Sequence, residues 1–205
     1  MVLFIVSTSI TSAQVRLNFY GSYVFDDGFE VYGDAANYYN GKVKGGFQWG
    51  AGAQYVIAPN ASAELLYINH STTAPTTFKF GTNNLKTEDF NVNLNYIMLS
   101  GDGLYTRGKA EGYAGLMAGV LLSDVSAPSV GKSSSNTDFA WGGRIGTTIW
   151  TSSRLGIKLQ ALLLSSAKAT GGETYFSWYG PIYLSTYSTL WQFSLGGGLT
   201  YRLGN

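Results

Sequence analysis

The stretch Asp89-Phe90-Asn91-Val92-Asn93-Leu94-Asn95-Tyr96-Ile97-Met98 alternates between two chemistries along almost its whole length. Phe90, Val92, Leu94, Tyr96 and Met98 occupy one set of positions, and Asp89, Asn91, Asn93 and Asn95 the other. Successive side chains of a β-strand point to opposite faces, so a period of two sorts them into an apolar wall and a polar wall. A helix would mix both sets around its surface.

The same period runs outward in both directions. Val15, Leu17, Phe19, Gly21, Tyr23 and Phe25 oppose Arg16, Asn18, Tyr20 and Ser22, while Val43, Phe47, Trp49, Ala51, Ala53, Tyr55 and Ile57 alternate with Lys42, Lys44, Gln48 and Gln54. At the far end Trp191, Phe193, Leu195, Leu199, Tyr201 and Leu203 face away from Gln192, Ser194, Thr200 and Arg202. Four segments follow the rule less strictly. Ala61–Ser71 sets Leu65 and Tyr67 against Glu64 and His70, with Leu66 and Ile68 blurring the polar side. Lys109–Leu122 sets Leu116, Val120 and Leu122 against Lys109, Glu111 and Tyr113. Asp138–Trp150 sets Phe139, Trp141, Ile145 and Ile149 against Arg144 and Thr148, and Arg154–Leu164 sets Leu155, Ile157, Leu159 and Leu163 against Lys158 and Gln160. Many segments are about 9–13 residues long, enough for a tilted strand to cross the hydrocarbon layer of a membrane.

Composition points the same way. Of 205 residues, 45% are hydrophobic and 15% aromatic but only 12% charged, about half the charge of an average soluble domain. No apolar run reaches the roughly 18 residues of a spanning helix, so the apolar groups must be spread by alternation. The 27 glycines and 15 tyrosines suit twisted sheets and turns. A net charge of +1 removes the electrostatic case for nucleic acid. With no cysteine there is neither a disulfide framework nor a thiolate metal site, and no His/carboxylate set has metal-ligand spacing. No cofactor is expected. Met1–Ala13 reads as an export signal, apolar over Met1–Ile10 and ending in the small residues Thr11, Ser12 and Ala13; residues 14–205 are then one domain.

The connections alternate in length. Asp26–Gly41, Thr72–Lys86, Ser123–Thr137 and Ser165–Leu190 are long, Ala58–Asn60 and Thr151–Ser153 are short, and Ser100–Gly108 is intermediate and turn-rich. Short turns at one end and long loops at the other are the habit of outer-membrane barrels. In hydrocarbon an unpaired backbone group costs several kcal/mol, so the sheet must close. The expected fold is all-β, an eight-stranded antiparallel up-and-down transmembrane β-barrel. Its apolar faces, Phe90 and Leu94 included, point to lipid. Arg16, Lys44, Glu64, Asp89, Lys109, Glu111, Arg144, Lys158 and Arg202 line a side-chain-filled lumen. Trp49, Trp141, Trp150 and Trp191 are placed to form interfacial girdles.

At this point the chain resembles the small outer-membrane β-barrel proteins of Gram-negative bacteria, the OmpA/OmpX/Ail-like group. The most specific local element is the last strand, where Gly198, Tyr201 and Leu203 match that family's assembly signal, with Gly196 and the Gly204-Asn205 extension as departures. The resemblance implies insertion by the barrel-assembly machinery and contact with outer-membrane lipid and lipopolysaccharide.

Chemistry-bearing groups are few. His70 is the sole histidine, and its neighbour Ser71 must lie on the opposite face, which spoils nucleophile activation. No enzyme is expected. Ser129-Val130-Gly131-Lys132-Ser133 lacks the first glycine of a phosphate loop. The loops carry Tyr38, Tyr39, Tyr175, Phe176, Trp178 and Tyr179, large rings that lose little entropy on contact. The function expected is structural or surface-interacting, toward other outer-membrane or host surface proteins, with a narrow channel and a lipid-modifying enzyme as alternatives.

Overall fold

Alternating sequence forms strands, and most of them run well past the segments that the pattern marks. The computed structural model describes residues 14–32, 37–80, 86–127, 132–167 and 190–203. The strands are β1 (Gln14–Val24), β2 (Asp27–Tyr32), β3 (Asn37–Val43), β4 (Gly46–Ala58), β5 (Ala61–Phe80), β6 (Lys86–Arg107), β7 (Ala110–Ala127), β8 (Lys132–Trp150), β9 (Leu155–Ala167) and β10 (Leu190–Leu203).

Eight of them close on themselves. β4 pairs with β1, β1 with β10, and the ring continues through β9, β8, β7 and β6 to β5, which pairs back with β4. Every neighbour is antiparallel. Stepping from partner to partner, Gln14 leads through Val56, Ser62, Asp102, Gly115, Arg144, Leu162 and Ser194 to Val24, ten residues further along the starting strand. That stagger over eight strands tilts them by about 40° and leaves an interior that side chains can fill.

One end of the barrel carries the tight connections Pro59–Asn60, Gly108–Lys109 and the bend 151–154, together with the start of β1 and the end of β10. Gly108 has φ 63°, a conformation that glycine enters without the clash of a Cβ. The expected connection Ser100–Gly108 is therefore strand as far as Arg107. At the other end most of the expected loops prove to be strand. Asp26–Gly41 contains the β2–β3 hairpin. It keeps the register of β1 and β4, Val24 facing Gly46 and Asp27 facing Val43 across the break. The exposed Asp26 pins that break by accepting the Gly45 N–H at 2.6 Å and pairing with Lys42. Those two hydrogen bonds, the Lys42 one foremost, hold its carboxyl below the usual carboxylate range. Every described residue of Thr72–Lys86 and of Ser123–Thr137 is strand.

β5, β6, β7 and β8 run unbroken for 20, 22, 18 and 19 residues, whereas β1 and β4, with 11 and 13, are continued upward by β2 and β3, and β3 reaches the level of Phe80 at the end of β5. At about 3.3 Å per residue and about 40° of tilt, β6 climbs roughly 55 Å. These strands thus rise well above the apolar belt.

The outer surface of the lower barrel is apolar. Phe19, Phe47, Trp49, Leu65, Leu99, Leu116, Trp141, Ile145, Leu159, Phe193, Leu195 and Leu199 are all exposed on it. Along β4 the outward set from Phe47 to Ile57 covers about 25 Å of height, the height of the apolar band of a membrane barrel. Tyr55, Tyr105 and Tyr201 ring its lower edge, and Trp141 meets Trp191 edge-to-face near its upper edge, their centroids 5.5 Å apart. Trp150 departs from the expected girdle: it turns inward and is 6% exposed.

The faces of the stretch Asp89–Met98 are the reverse of the expected ones. Phe90, Val92, Leu94, Tyr96 and Met98 are buried inside, while Asp89, Asn91, Asn93 and Asn95 lie outside. The register through the ring puts even-numbered residues of β6 inward all along, so the polarity of the sequence itself switches within the strand. Below Tyr96 the outward residues are Ile97, Leu99 and Tyr105, and the inward ones include Ser100 and Asp102. β5 switches at the same level, with Leu65 and Tyr67 outward below Asn69 and Ser71. The physical reason is the change of surroundings. Where the wall rises above the apolar belt its outside meets water, so the dry side of the sheet becomes the inside.

Candidate functional site: a filled lumen

Inward side chains stack in layers. Lowest, the Arg16 guanidinium grips the Glu111 carboxylate with two hydrogen bonds of 2.5 and 3.1 Å, a fork geometry that strengthens such pairs. Arg202 lies over the Trp150 ring at 3.4 Å from its centroid and donates to the Ser153 carbonyl at 3.3 Å.

Above this sits the central charge cluster. Arg144, from β8, donates to both carboxylate oxygens of Asp102 on β6, at 2.9 and 2.6 Å, and to Glu64 on β5 at 2.6 Å. Glu64 also accepts the Tyr20 hydroxyl at 2.7 Å and the Asn18 amide at 2.8 Å, both from β1. One guanidinium therefore ties three walls together across the lumen, and Glu64 adds a fourth. Lys158 completes the charge balance, its ammonium 4.7 Å from the Tyr113 ring centroid and 5.5 Å from that of Tyr20. Buried charges survive only when paired and hydrogen-bonded; Arg144, Glu64 and Asp102 meet that condition, while the Lys158 ammonium is held between two ring faces. Space for it comes from glycines. A Cβ on Gly52 would lie 2.2 Å from Glu64 Oε1, and one on Gly115 would lie 2.2 Å from Asp102 Oδ1.

Next comes an apolar layer of Leu66, Ile68, Met98, Met117 and Leu162, and above it a neutral polar ring. Gln192 bridges that ring, its amide nitrogen 3.2 Å from His70 Nδ1 and its oxygen accepting the Tyr96 hydroxyl at 2.7 Å. Donation by Gln192 makes Nδ1 an acceptor and puts the imidazole proton on Nε2. The top is apolar again, with Phe90, Val92, Leu121, Val125 and Ala74. Between the charge cluster and the polar ring a cavity beside Tyr20, Gln48, Leu66 and Leu162 holds about 10 Å³, room for no more than one water.

Of the expected lumen residues, Arg16, Glu64, Glu111, Arg144 and Lys158 are brought together inside and Arg202 stands partly buried at the mouth. Three are corrected. Asp89 is exposed on the outer face because of the polarity switch. Lys44 is exposed at the break between β3 and β4, and Lys109 is exposed in the turn after Gly108. Asp102 was missed: flanking Gly101 and Gly103 disguise its strand as a turn, although it shares the inward parity of Ser100. His70 and Ser71 do point to opposite faces, the first fully buried and the second exposed. Tyr38 and Tyr39 lie on β3, facing Lys79 and Phe78 of β5. Tyr175, Phe176, Trp178 and Tyr179 lie outside the described residues, as does the expected export signal Met1–Ala13. Gly198, Tyr201 and Leu203 are on β10, the last two exposed outward. Gly198 packs so closely on β1 that a Cβ would lie 2.1 Å from the Phe19 carbonyl.

No family model and no curated protein matches the chain. Solved structures do. Neisserial surface protein A aligns with a TM-score of 0.60 at 12% identity, over 92% of this chain and 97% of that one. Outer membrane protein OprG from Pseudomonas aeruginosa aligns with a TM-score of 0.54 at 13% identity, over 94% and 98%. At such identities the likeness is one of fold, and the chain has the closed eight-stranded fold of the small outer-membrane β-barrels.

Proposed function

We propose that this protein spans the bacterial outer membrane and works as a closed, plugged scaffold that holds a rigid wall and its aromatic loops at the cell surface for contact with other outer-membrane or host surface proteins. The observation that carries the reading is the combination of an apolar belt outside with an ion-paired charge cluster inside. Only a lipid surround makes the first favourable, and the second leaves the lumen no continuous water path. In this orientation the short turns face the periplasm, and the upper parts of β5–β8 with the β2–β3 hairpin face out. Insertion falls to the barrel-assembly machinery, with Tyr201 and Leu203 on the outward side of the closing strand. No catalytic role is assigned, because His70 is enclosed in the lumen and Ser71 stands on the other face.

The test is a membrane fractionation joined to surface labelling. The protein should remain in the outer-membrane pellet after a carbonate or urea wash, and an epitope inserted between Tyr32 and Asn37 should be reached by antibody on intact cells. Release by the wash, or an epitope visible only after permeabilisation, overturns the reading.

A further inference from the structure

The apolar belt is broken in one place. On most of the circumference its upper part is aromatic or aliphatic: Phe47, Trp49, Val120, Leu122, Phe139, Trp141, Trp191 and Phe193 are exposed there. On β5 and β6 amides take over. One row of cross-strand partners, climbing with the stagger, reads Trp49, Asn69, Asn95, Leu122, so two polar residues interrupt it between an apolar residue below and an apolar one above. The row beneath reads Ala51, Tyr67, Ile97, Val120 and is apolar again apart from the tyrosine hydroxyl.

The notch is ordered. Asn69 Nδ2 donates to Asn93 Oδ1 at 2.8 Å and to Asn95 Oδ1 at 2.9 Å, and the Tyr67 hydroxyl donates to Asn95 Oδ1 at 2.7 Å. Ser71 donates to Asn93 Oδ1 at 3.1 Å. The donors of this ladder all go to side-chain carbonyl oxygens, Ser71 reaching that of Asn69 as well at 3.4 Å, so among the described residues the Nδ2 groups of Asn93 and Asn95 are left to donate outward. Directly above, a groove of about 440 Å³ runs over Ser71, Thr73, Asn91, Asn93, Asp124 and Ser133. Among the described residues the one charged side chain on its lining is the Asp124 carboxylate.

We infer that this notch is a binding site for the uncharged sugar headgroup of an outer-leaflet glycolipid, the acyl chains lying on the wall below. The inference rests on the membrane reading given above. Two features select the occupant. Amide N–H donors, hydroxyls and a carboxylate acceptor match the mixed donors and acceptors of sugar hydroxyls, whereas a carboxylate with no cation beside it among the described residues of the groove disfavours a phosphate. Continuity with Leu65, Ile97 and Leu99, exposed immediately below, calls for a molecule with chains attached rather than a free sugar. Asn69 and Asn95 stand at the rim where the wall leaves the apolar belt, so acyl chains lying against Leu65, Ile97 and Leu99 bring an attached headgroup level with these amides, and its hydroxyls satisfy groups that lipid chains alone would leave unpartnered.

Native mass spectrometry of the full-length protein, released from nanodiscs of phosphatidylethanolamine and phosphatidylglycerol, tests this with a neutral dihexosyl diacylglycerol as probe. The wild type should retain the glycolipid about tenfold better than phosphatidylglycerol of equal chain length, the preference that one or two net hydrogen bonds provide. Asn69→Leu/Asn93→Leu/Asn95→Leu should bring the ratio to about one while the protein keeps its heat-modifiable gel mobility. The wild-type ratio needs no variant to be read. Three results overturn the inference: a wild-type ratio near one, displacement of the probe by free lactose at equal concentration, or a wild-type dimer whose cross-link disappears in the triple variant. Failure of the wild type to enter the nanodisc at all would instead sink the membrane reading, and this inference with it.

Discussion

Arg144 shows how much can depend on one side chain. Its charge is almost wholly buried, and it is the shared partner of two carboxylates from different strands. Glu64 and Asp102 each have other hydrogen-bond donors, Tyr20 and Asn18 for the first and Ser100 for the second, but no other cation forms an ion pair with them among the described residues. Removing the guanidinium would leave two buried negative charges facing one another. Arg144→Met should therefore destabilise the barrel by about 3–5 kcal/mol, the range found when one partner of a buried pair is removed. The midpoint of urea unfolding in lipid vesicles measures it, and an unchanged midpoint would mean that water reaches the cluster freely.

At the scale of the element, β6 carries two opposite amphipathic patterns end to end on one unbroken parity. Its lower part turns Ile97, Leu99 and Tyr105 outward, and its upper part turns Leu94, Val92 and Phe90 inward. This has a consequence that separates the observed register from the expected one. Leu94→Asn buries an amide in the apolar upper lumen and should cost about 3 kcal/mol or more, whereas Asn93→Leu on the outer face should change stability by less than about 1 kcal/mol. Chemical denaturation of the two variants side by side checks the ordering, and the reverse ordering would put Asn93 in the lumen. The alternation of Phe90–Met98 was legible in sequence, but its direction was not, since a period of two is symmetric and says nothing about which face is wet. The hairpin of β2 and β3 was hidden for a related reason. Residues 26–41 are rich in glycine, asparagine and aspartate, which read as a loop although Phe29 and Val31 alternate, and it is the pairing of β2 with β3 and of β3 with β5 that makes them strands.

For the whole molecule the decisive property is closure. The ring of backbone pairs leaves the eight strands without a free edge, and the layers inside alternate ion pairs, aliphatic side chains and neutral hydrogen bonds from bottom to top. An ion entering at the Arg16–Glu111 layer meets Arg144, then the dry layer of Leu66, Met98 and Met117, before it reaches His70. Single-channel recordings in planar bilayers at neutral pH should accordingly be silent, and steady unit conductance from folded protein would refute a plugged lumen.

The division between what the chain alone determines and what required the folded molecule follows from the range of the interactions. Alternation, strand number, closure and the identity of most inward charges are local or nearly so: each depends on neighbouring side chains pointing to opposite faces and on a backbone that hydrocarbon cannot hydrogen-bond. The depth at which each residue sits is not local. It comes from a stagger accumulated around eight strands, and it decides that Asp89 is outside, that Asp102 meets Arg144, and that Asn69 and Asn95 interrupt the belt. Depth sets whether water or lipid lies beyond the wall, and that boundary, absent from any single strand, fixes which face of the sheet must be dry.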